Sequence, residues 1–518
     1  MLPRLALALT VAVLWNVPVM AQAQIEILPG EDLAEAARHH PEGTEFLIRA
    51  GVHRGQSVEP RNGQTFTGEA GAVLTGAVLL DAWYPEGEYW VIEDQTWQGQ
   101  VHGHCTPDLP GYEGCRYPED LFFDDEPLWQ ETSLSELDAP GEWFFDYVAD
   151  RIYVLDDPTA VRVELSVTRH AFHGSAEGVT IQDLVIEKYA PPAQHAAVHA
   201  WSGTSGPQGR DWIVRNNEIR WNHALGVRTS HGMIVSGNQI IENGQLGIGG
   251  SGNDVLVENN TISRNHWAGF NPFWEAGGTK WVLTDGLVVR GNTVRDNDGP
   301  GLWTDIDNVN VLYEGNWVTG NAQSGIFHEI SRDAVIRYNV SKWNGAGFDP
   351  WLWGAQILVS TSRNVEIHDN TVVVGAGGGN GITLVQQNRG DGLSGPHVTT
   401  GNRVHHNHVT FEADRGLTGA AADHDPQTMF NGGNHFYANR YVVPDLGGRR
   451  WAWWGLQDWT GWRNAGHGQD ASVEMPPPAA SCGLLGIEPL LLLWLVSRPR
   501  RCATSPAKRL AHASGGAR

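Results

Sequence analysis

Short apolar runs separated by polar stretches recur through the middle of the chain. Residues 255–257, 287–289 and 334–336 are examples, and each is rich in β-branched side chains. This pattern predicts strands of a few residues, among which Val288 and Ile336 are expected to face the interior. No stretch between the strands has the length and periodicity of an amphipathic helix, so an all-β fold is predicted.

The strands belong to a repeat of about 22 residues that runs from 211 to 407. Each unit has two asparagines five residues apart and ends in a glycine followed by an apolar residue. The first asparagines are Asn217, Asn238, Asn260, Asn292, Asn316 and Asn339. A fixed period of this size indicates stacked coils, and identical asparagines one coil apart can form hydrogen bonds along the stack. Because parallel crossovers are overwhelmingly right-handed, the sequence predicts a right-handed parallel β-helix.

The chain divides into six predicted segments. Residues 1–23 read as a signal peptide, with an apolar run before Ala21-Gln22-Ala23. Residues 24–79 are expected to form an N-terminal cap and the first coils. The repeat is absent from residues 80–160, which suggests an inserted β-rich subdomain. The β-helix is expected over 161–445, a C-terminal cap over 446–474, and a linker with a sorting signal over 475–518.

The C-terminal segment contains Cys482, then an apolar run and three arginines. This order resembles bacterial C-terminal sorting signals in which the cysteine is the processing and anchoring point. The resemblance implies anchoring to a membrane or cell surface. The chain continues to Arg518, whereas the known signals end soon after the arginines.

Cys105 and Cys115 lie ten positions apart in the predicted subdomain. In an exported protein such a pair is expected to form a disulfide. His102 and His104 precede Cys105, so a metal site is the alternative. The segment lacks the ligand spacing of a closed zinc site, and no metal site is predicted.

Charge and composition narrow the set of partners. The chain has 59 acidic and 35 basic residues, for a net charge of −24, which argues against nucleic acid and anionic membranes as partners. It also has 23 tryptophans. Exposed tryptophan rings can stack on sugars, although most tryptophans in proteins belong to the core. The chain is expected to act as a monomer.

A candidate site follows from the alternation in residues 301–308 and 325–331. If Leu302 and Ile306 face inward, Asp305 faces outward. Alignment of the next coil by its glycine places Glu329 in the same column. Adjacent strands lie about 4.8 Å apart, so two carboxylates are predicted to face solvent at that separation. Such a pair can act as acid and base or nucleophile.

Further candidates surround this pair. Insertions at 271–284 and 349–362 are expected to loop out from the same face. The catalytic candidates are Asp305, Glu329, Glu275, Asp307, His328 and Lys280, and the substrate-binding candidates are Trp274, Trp303, Trp351 and Trp353. Glu275 is expected near the column of Asp307. His328 stands at a position where the alternation turns the side chain inward, so a buried, hydrogen-bonded histidine is expected.

Three chemistries remain open at this site. Carboxylates about 5 Å apart match retaining glycosidases, and wider pairs match inverting ones. The oxygens of Asp305, Asp307, Asn308 and Glu329 could instead hold Ca²⁺. Elimination from a uronic-acid polymer would need nearby cations. Candidates for that role are Lys280, Arg228, Arg332 and Arg389, which form no visible cluster in the sequence.

The repeats resemble the right-handed parallel β-helix proteins of the pectin lyase-like superfamily. The segments GLWTDIDN (301–308), GIFHEIS (325–331), FWEAGGTK (273–280) and YPEDLFFD (117–124) are similar to a group of secreted bacterial β-helix proteins with undefined substrates. The resemblance implies a polysaccharide lyase, a glycoside hydrolase, an epimerase of uronans or an adhesin. We therefore expect an exported protein that cleaves a polysaccharide by hydrolysis. The alternatives are a uronic-acid lyase and a non-catalytic glycan-binding surface protein.

Overall fold

The computed structural model describes residues 24–202 and 206–476. The predicted signal peptide (1–23) and the sorting cysteine Cys482 lie outside the described residues. Within the described ranges, no helix is long and apolar enough to cross a membrane.

Three long sheets wind around one axis, and each coil of the central region contributes one strand to each sheet. Sheet A consists of Ile25–Ile27, Glu45–Ile48, Thr65–Gly68, Thr180–Gln182, Ile213–Arg215, Ile234–Ser236, Leu256–Glu258, Val288–Arg290, Val309–Glu314, Arg332–Arg337, Arg363–His368, Arg403–His405 and His435–Tyr437. Sheet B consists of Gly51–Arg54, Ala72–Thr75, Val185–Glu187, Glu218–Arg220, Gln239–Ile241, Thr261–Ser263, Thr293–Arg295, Trp317–Thr319, Val340–Lys342, Thr371–Val374, His408–Phe411, Arg440–Val442 and Ser472–Glu474. Sheet C consists of Phe172–His173, Ala196–His199, Leu225–Thr229, Leu246–Gly250, Gly277–Trp281, Leu302–Thr304, Ile326–Glu329, Ala355–Ser360, Asn380–Gln386, Thr418–Ala422, Trp451–Ala452 and Leu456–Gln457.

The repeated asparagines form two buried ladders at the turns between sheets. Asn217 Nδ2 donates to Asn238 Oδ1 at 3.1 Å, and Asn238 Nδ2 donates to Asn260 Oδ1 at 2.9 Å. The left-handed residue of each turn is the one before the ladder asparagine, such as Asn216 (φ 56°). The asparagines therefore stabilise the stack by hydrogen bonds rather than by their tolerance of left-handed backbone.

The core is a column of apolar side chains from all three sheets. Ile336 is fully buried, as predicted. The prediction for Val288 is wrong, because Leu287 and Val289 on either side of it are fully buried and Val288 itself is half-buried. In a strand of period two, Val288 must therefore face outward.

Short helices and a separate subdomain complete the fold. Helix Leu33–His39 closes the N-terminal end, and the side chain of Asp32 accepts a hydrogen bond from Glu35 N. The remaining helices are Pro272–Glu275, Pro426–Asn431 and Trp459–Asn464, and 3-10 turns span Gly114–Arg116, Leu134–Glu136 and Pro158–Ala160.

The region that lacks the repeat forms two additional sheets. A four-stranded sheet contains Ala77–Leu79, Leu121–Phe123, Glu126–Pro127 and Val163–Ser166. A five-stranded sheet contains Tyr84–Glu86, Tyr89–Ile92, Trp129–Glu131, Glu142–Asp146 and Arg151–Val154. Cys105 and Cys115 form a disulfide in this region, the pairing that the sequence predicts.

A buried ion cluster joins the subdomain to the β-helix. Lys188, which is fully buried, contacts Asp125 and Glu164, and Arg54 Nη1 lies 2.7 Å from Glu164 Oε1. Burial alone would raise the pKa of Glu164. The hydrogen bonds and charges of Lys188 and Arg54 outweigh that effect and lower the pKa. The cluster therefore stabilises the docked subdomain only while Glu164 is ionised.

Replacing Lys188 by Met should destabilise the protein by about 3 kcal/mol, because it leaves a buried carboxylate with fewer partners. The contribution of Glu164 is fully present above its ordinary pKa of 4.5 and is lost as the pH falls through the lower pKa of the folded state. Melting temperatures at pH 6 and pH 3.5 should therefore differ more in the parent than in Lys188→Met. Lys342→Met, on the outer face of sheet B, is the matched control, and an equal loss there would contradict this account.

Candidate functional site

Asp305 and Glu329 follow from the pairing of two neighbouring strands of sheet C. Strands Leu302–Thr304 and Ile326–Glu329 pair in parallel with Thr304 beside His328. The next residues, Asp305 and Glu329, are thus neighbours on the outer face, at the strand spacing of about 4.8 Å. The alignment by glycines predicts this adjacency.

Two cations cover the carboxylates, which is a correction to the predicted open face. Lys280 Nζ lies 3.0 Å from Asp305 Oδ2, and Arg389 contacts Glu329 and lies 3.9 Å from Asp305 Oδ1. Asp305 and Glu329 are each only 5% exposed. Lys280 and Arg389 thus form the cationic cluster that was not visible in the sequence.

Arg389 is brought to the site by an excursion of the chain after strand Asn380–Gln386. The excursion contains the short hairpin Asp391–Gly392 and Gly395–Pro396, with Leu393 82% exposed at its tip. We call residues 387–398 the cover hairpin. It lies over the outer face of sheet C, where its Arg389 covers the two carboxylates.

Aromatic rings flank the pair on the same face. The rings of Trp303 and Phe327 stack at 5.4 Å with an interplanar angle of 9°, and the Trp353 ring meets Phe327 edge-on at 5.9 Å. Lys280 Nζ lies 4.0 Å from the centre of the Trp303 ring. Trp303 faces outward as predicted, but it is only 3% exposed because neighbouring side chains cover it.

Asp307 supports the cover hairpin instead of joining the pair. The backbone turns left-handed at Ile306 (φ 61°) and Asp307 (φ 53°), and Ile306 is 41% exposed rather than inward. Asp307 Oδ1 lies 3.1 Å from His397 Nε2, and Asp307 Oδ2 accepts a hydrogen bond from Leu393 N. The predicted alternation is therefore wrong beyond Asp305, since the strand ends at Thr304.

His328 is excluded as a base. It is fully buried, its Nδ1 lies 2.8 Å from Thr304 Oγ1, and burial lowers its pKa to about 3. A neutral histidine inside the β-helix cannot reach a substrate on the outer face. The expectation of a buried, hydrogen-bonded histidine is thus met.

The structure does not place Glu275 near Asp307, so the prediction that the two occupy matching positions on their coils is wrong. Its Oε2 accepts a hydrogen bond from Gln194 Nε2 at 2.8 Å. Here the extra residues loop out before strand Gly277–Trp281, which itself stays in sheet C. Trp281 is consequently a core residue rather than part of the loop edge.

The remaining predicted tryptophans have different surroundings. The carbonyl of Trp274 accepts a hydrogen bond from Lys280 Nζ at 2.6 Å, and its ring lies 4.7 Å from that of His104. Trp351 is 42% exposed in the loop before strand Ala355–Ser360. The structure therefore gathers Lys280 and the carboxylates, with Trp274, Trp303 and Trp353 around them.

The site does not fit calcium. The side chain of Asn308 donates to Asp305 O at 2.8 Å, and both carboxylates are already engaged by cations. A Ca²⁺ ion needs six to eight oxygen ligands, and the adjacent lysine and arginine would oppose its charge.

Comparisons with known proteins agree with the fold. The family model "Right handed beta helix region" matches residues 200–372. No curated protein matches the chain. A solved complex of XylC with xylose is 14% identical to this chain. The match spans 85% of this chain and 82% of the XylC chain, with a TM-score of 0.63. The A-module of mannuronan C-5 epimerase AlgE4 from Azotobacter vinelandii is 13% identical. The match spans 86% of this chain and 92% of the A-module, with a TM-score of 0.49. The predicted right-handed parallel β-helix fold is confirmed.

Proposed function

We propose that this right-handed parallel β-helix protein acts on carbohydrate and hydrolyses a glycosidic bond, with Asp305 and Glu329 as the catalytic pair. The observation that carries the proposal is the placement of two carboxylates on adjacent strands of one outer face. The strand spacing of about 4.8 Å is close to the carboxylate separation of retaining glycosidases. The similar XylC structure contains bound xylose, which supports a sugar as the ligand.

The two carboxylates have different partners, which suggests different roles. Lys280 Nζ lies 3.0 Å from Asp305 Oδ2, and we assign Asp305 the role of the nucleophile that attacks the anomeric carbon. Glu329 is paired with Arg389 on the cover hairpin. In the proposed mechanism the hairpin swings aside when the sugar binds. Glu329, having taken a proton from solvent after Arg389 moves away, then protonates the leaving oxygen as the glycosidic C–O bond breaks. It later takes a proton from the water that displaces the sugar from Asp305.

The aromatic pair gives the sugar a surface to bind. Stacked Trp303 and Phe327 lie beside the carboxylates, and apolar faces of pyranose rings pack on such rings. Leu352 and Trp353 pack against this pair, so their loop must move as well as the cover hairpin before a sugar can reach the rings.

The experiment is incubation of the purified protein with plant, algal and bacterial polysaccharides. Hydrolysis predicts new reducing ends without ultraviolet absorbance. Unsaturated products that absorb in the ultraviolet would indicate elimination instead. Binding to a glycan array with no product after long incubation would indicate a non-catalytic glycan-binding protein.

We further propose that the protein acts outside the cytoplasm and that the segment around Cys482 anchors it. The Cys105–Cys115 disulfide supports an oxidising compartment. The leader and the anchor segment lie outside the described residues, so these two proposals rest on sequence.

A further inference from the structure

Two buried histidines lie at the corner where the chain passes from sheet B to sheet C. His223 and His266 each directly follow the second ladder asparagine of a unit, and Gly244 holds the same position in the coil between them. The two histidines are 2% and 7% exposed. Both contact segments that pack around the disulfide between Cys105 and Cys115. We call residues 102–117 the disulfide loop.

His223 binds the disulfide loop and the segment after it through both ring nitrogens. Its Nδ1 lies 3.0 Å from Asp120 Oδ1, and its Nε2 lies 3.1 Å from the carbonyl oxygen of Cys115. A carbonyl oxygen and an ionised carboxylate only accept hydrogen bonds, so the two contacts need one proton more than a neutral ring supplies. Glu119 and Tyr112 are the other titratable groups around this contact.

Asp120 makes the contribution of His223 to this docking depend on pH. Burial alone would lower the pKa of His223, but the charge and hydrogen bond of Asp120 and the hydrogen bond to Cys115 outweigh burial and raise the pKa. The contribution is therefore fully present below the ordinary value of 6.5. It is lost as the pH rises through the higher pKa of the folded state.

His266 has the same requirement, because its partners are two carbonyl groups. Its Nε2 lies 2.7 Å from Phe270 O, and its Nδ1 contacts Asp298 O. The carboxylate of Asp298 lies 3.8 Å from Nδ1 and is the charged group beside this ring. Phe270 is fully buried, and its ring meets that of His223 at 5.4 Å with an interplanar angle of 65°. One histidine thus holds the ring of Phe270, and the other holds its carbonyl group.

Phe270 links the disulfide loop to helix Pro272–Glu275. Cys105 pairs with Phe270 in an antiparallel bridge, and Asn271 N donates to His104 O at 2.8 Å. The helix begins directly after Asn271. Release of the disulfide loop from Phe270 therefore also frees the start of this helix.

The helix in turn holds Lys280. The carbonyl of Trp274 accepts a hydrogen bond from Lys280 Nζ at 2.6 Å, and the same Nζ lies 3.0 Å from Asp305 Oδ2. Displacement of the helix removes the first of these two contacts. The position of the lysine beside the carboxylate therefore depends on the docking of Phe270.

We infer that His223 and His266 are positioning residues whose protonated rings dock the disulfide loop on the β-helix. The docked loop holds Lys280 beside Asp305 through helix Pro272–Glu275, and it is released at alkaline pH. When either ring loses a proton, one of its nitrogens presents a lone pair to an oxygen, and repulsion replaces the hydrogen bond there. The effect on the carboxylates rests on the proposed function, whereas the docking does not.

The test is hydrogen–deuterium exchange of the full chain at pH 6 and pH 9, with each rate corrected for the intrinsic exchange rate at that pH. Peptides covering 102–117 and 267–276 report the docking, and a peptide covering 309–314 reports the β-helix itself. Opening of the two docking peptides should be at least about tenfold more frequent at pH 9, the factor that one unit of raised pKa supplies. The β-helix peptide should open equally often at both pH values.

Variants show whether the histidines cause the change. His223→Gln and His266→Gln should each open the loop more often at pH 6 and make opening less dependent on pH, because an amide does not titrate in this range. Asp120→Asn should move the midpoint of the change to lower pH by about one unit or more, since the carboxylate that raises the pKa of His223 is gone. A purely structural role of the histidines would not move this midpoint.

His231→Gln is the matched control. His231 is a half-buried histidine at the next corner of the same coil as His223, and its Nδ1 accepts a hydrogen bond from Asn253 N. The control should leave opening of both docking peptides unchanged. Equal corrected rates at pH 6 and pH 9 in the parent would overturn the inference. So would opening along the whole chain at pH 9, or a pH dependence that survives undiminished in both glutamine variants.

Turnover gives the readout at the carboxylates. On a polysaccharide that the parent cleaves, the alkaline fall of turnover should share its midpoint with the opening of the loop and should move with it in Asp120→Asn. A midpoint of turnover that stays fixed in this variant would overturn the coupling to Lys280. Loop opening that depends on pH, without cleavage of any polysaccharide, would leave the docking standing and remove the proposed hydrolysis.

Discussion

Asp305→Asn and Glu329→Gln are each expected to lower turnover by at least about a hundredfold, the scale of a general acid or base. Both changes keep the shape of the side chain and remove its ionisation. Because Lys280 and Arg389 then lose a charged partner, each variant should also lose about 1–3 kcal/mol of stability. Rates are therefore measured on a polysaccharide that the parent cleaves, well below the melting temperature of each variant.

The double variant separates a catalytic pair from two independent contacts. If Asp305 and Glu329 act as a unit, the fold-loss of turnover in the double variant should be far smaller than the product of the two single fold-losses. Glu314→Gln is the control. Glu314 also pairs with an arginine of the next coil, Arg337, but on the outer face of sheet A. Full activity in both single variants would show that Asp305 and Glu329 are not the catalytic pair. A loss of turnover in Glu314→Gln as large as theirs would show that the loss comes from reduced stability.

The coil could be predicted because its determinants are local and repeated. Each unit supplies one pair of ladder asparagines, and each asparagine bonds to its counterpart one coil away. The same spacing sets the register that places Asp305 beside Glu329. Features that recur with the period of the coil are visible in one sequence without any knowledge of the packing.

The cover of the site could not be predicted, because it depends on contacts between distant residues. Arg389 reaches Glu329 across 60 positions, and Asp307 reaches Leu393 across 86. No repeat links these residues. The left-handed turn at Ile306 also ends the alternation of inward and outward side chains. Alternation continued past this turn wrongly places the polar residues on an open face.

Val288 illustrates a smaller failure of the same kind. Residues 287–289 are all apolar, so alternation alone does not decide which of them faces the core. The structure decides it through pairing, because Val289 aligns with Val257 and Tyr313, both fully buried. In a run of apolar residues, the inward-facing positions can therefore be assigned only from the pairing with neighbouring coils.

Val289→Asp is expected to abolish cooperative folding of the central coils, whereas Val288→Asp should cost about 1 kcal/mol. Val289 is fully buried among apolar side chains, and an aspartate there would have no partner for its charge or its hydrogen bonds. The cost, of the order of 4–5 kcal/mol or more, approaches the whole stability of an ordinary domain. Val288 faces outward and is half-buried, so its aspartate keeps contact with water.

Thermal melts followed by circular dichroism, with limited proteolysis, measure both variants. Coils of a solenoid contact only their neighbours, so Val289→Asp should open cleavage sites around residues 256–314 before the ends of the chain are cut. The two substitutions introduce the same residue at adjacent positions, so composition and net charge are identical between them. Equal melting temperatures, or a greater loss in Val288→Asp, would show that the inward and outward faces of sheet A are assigned the wrong way round.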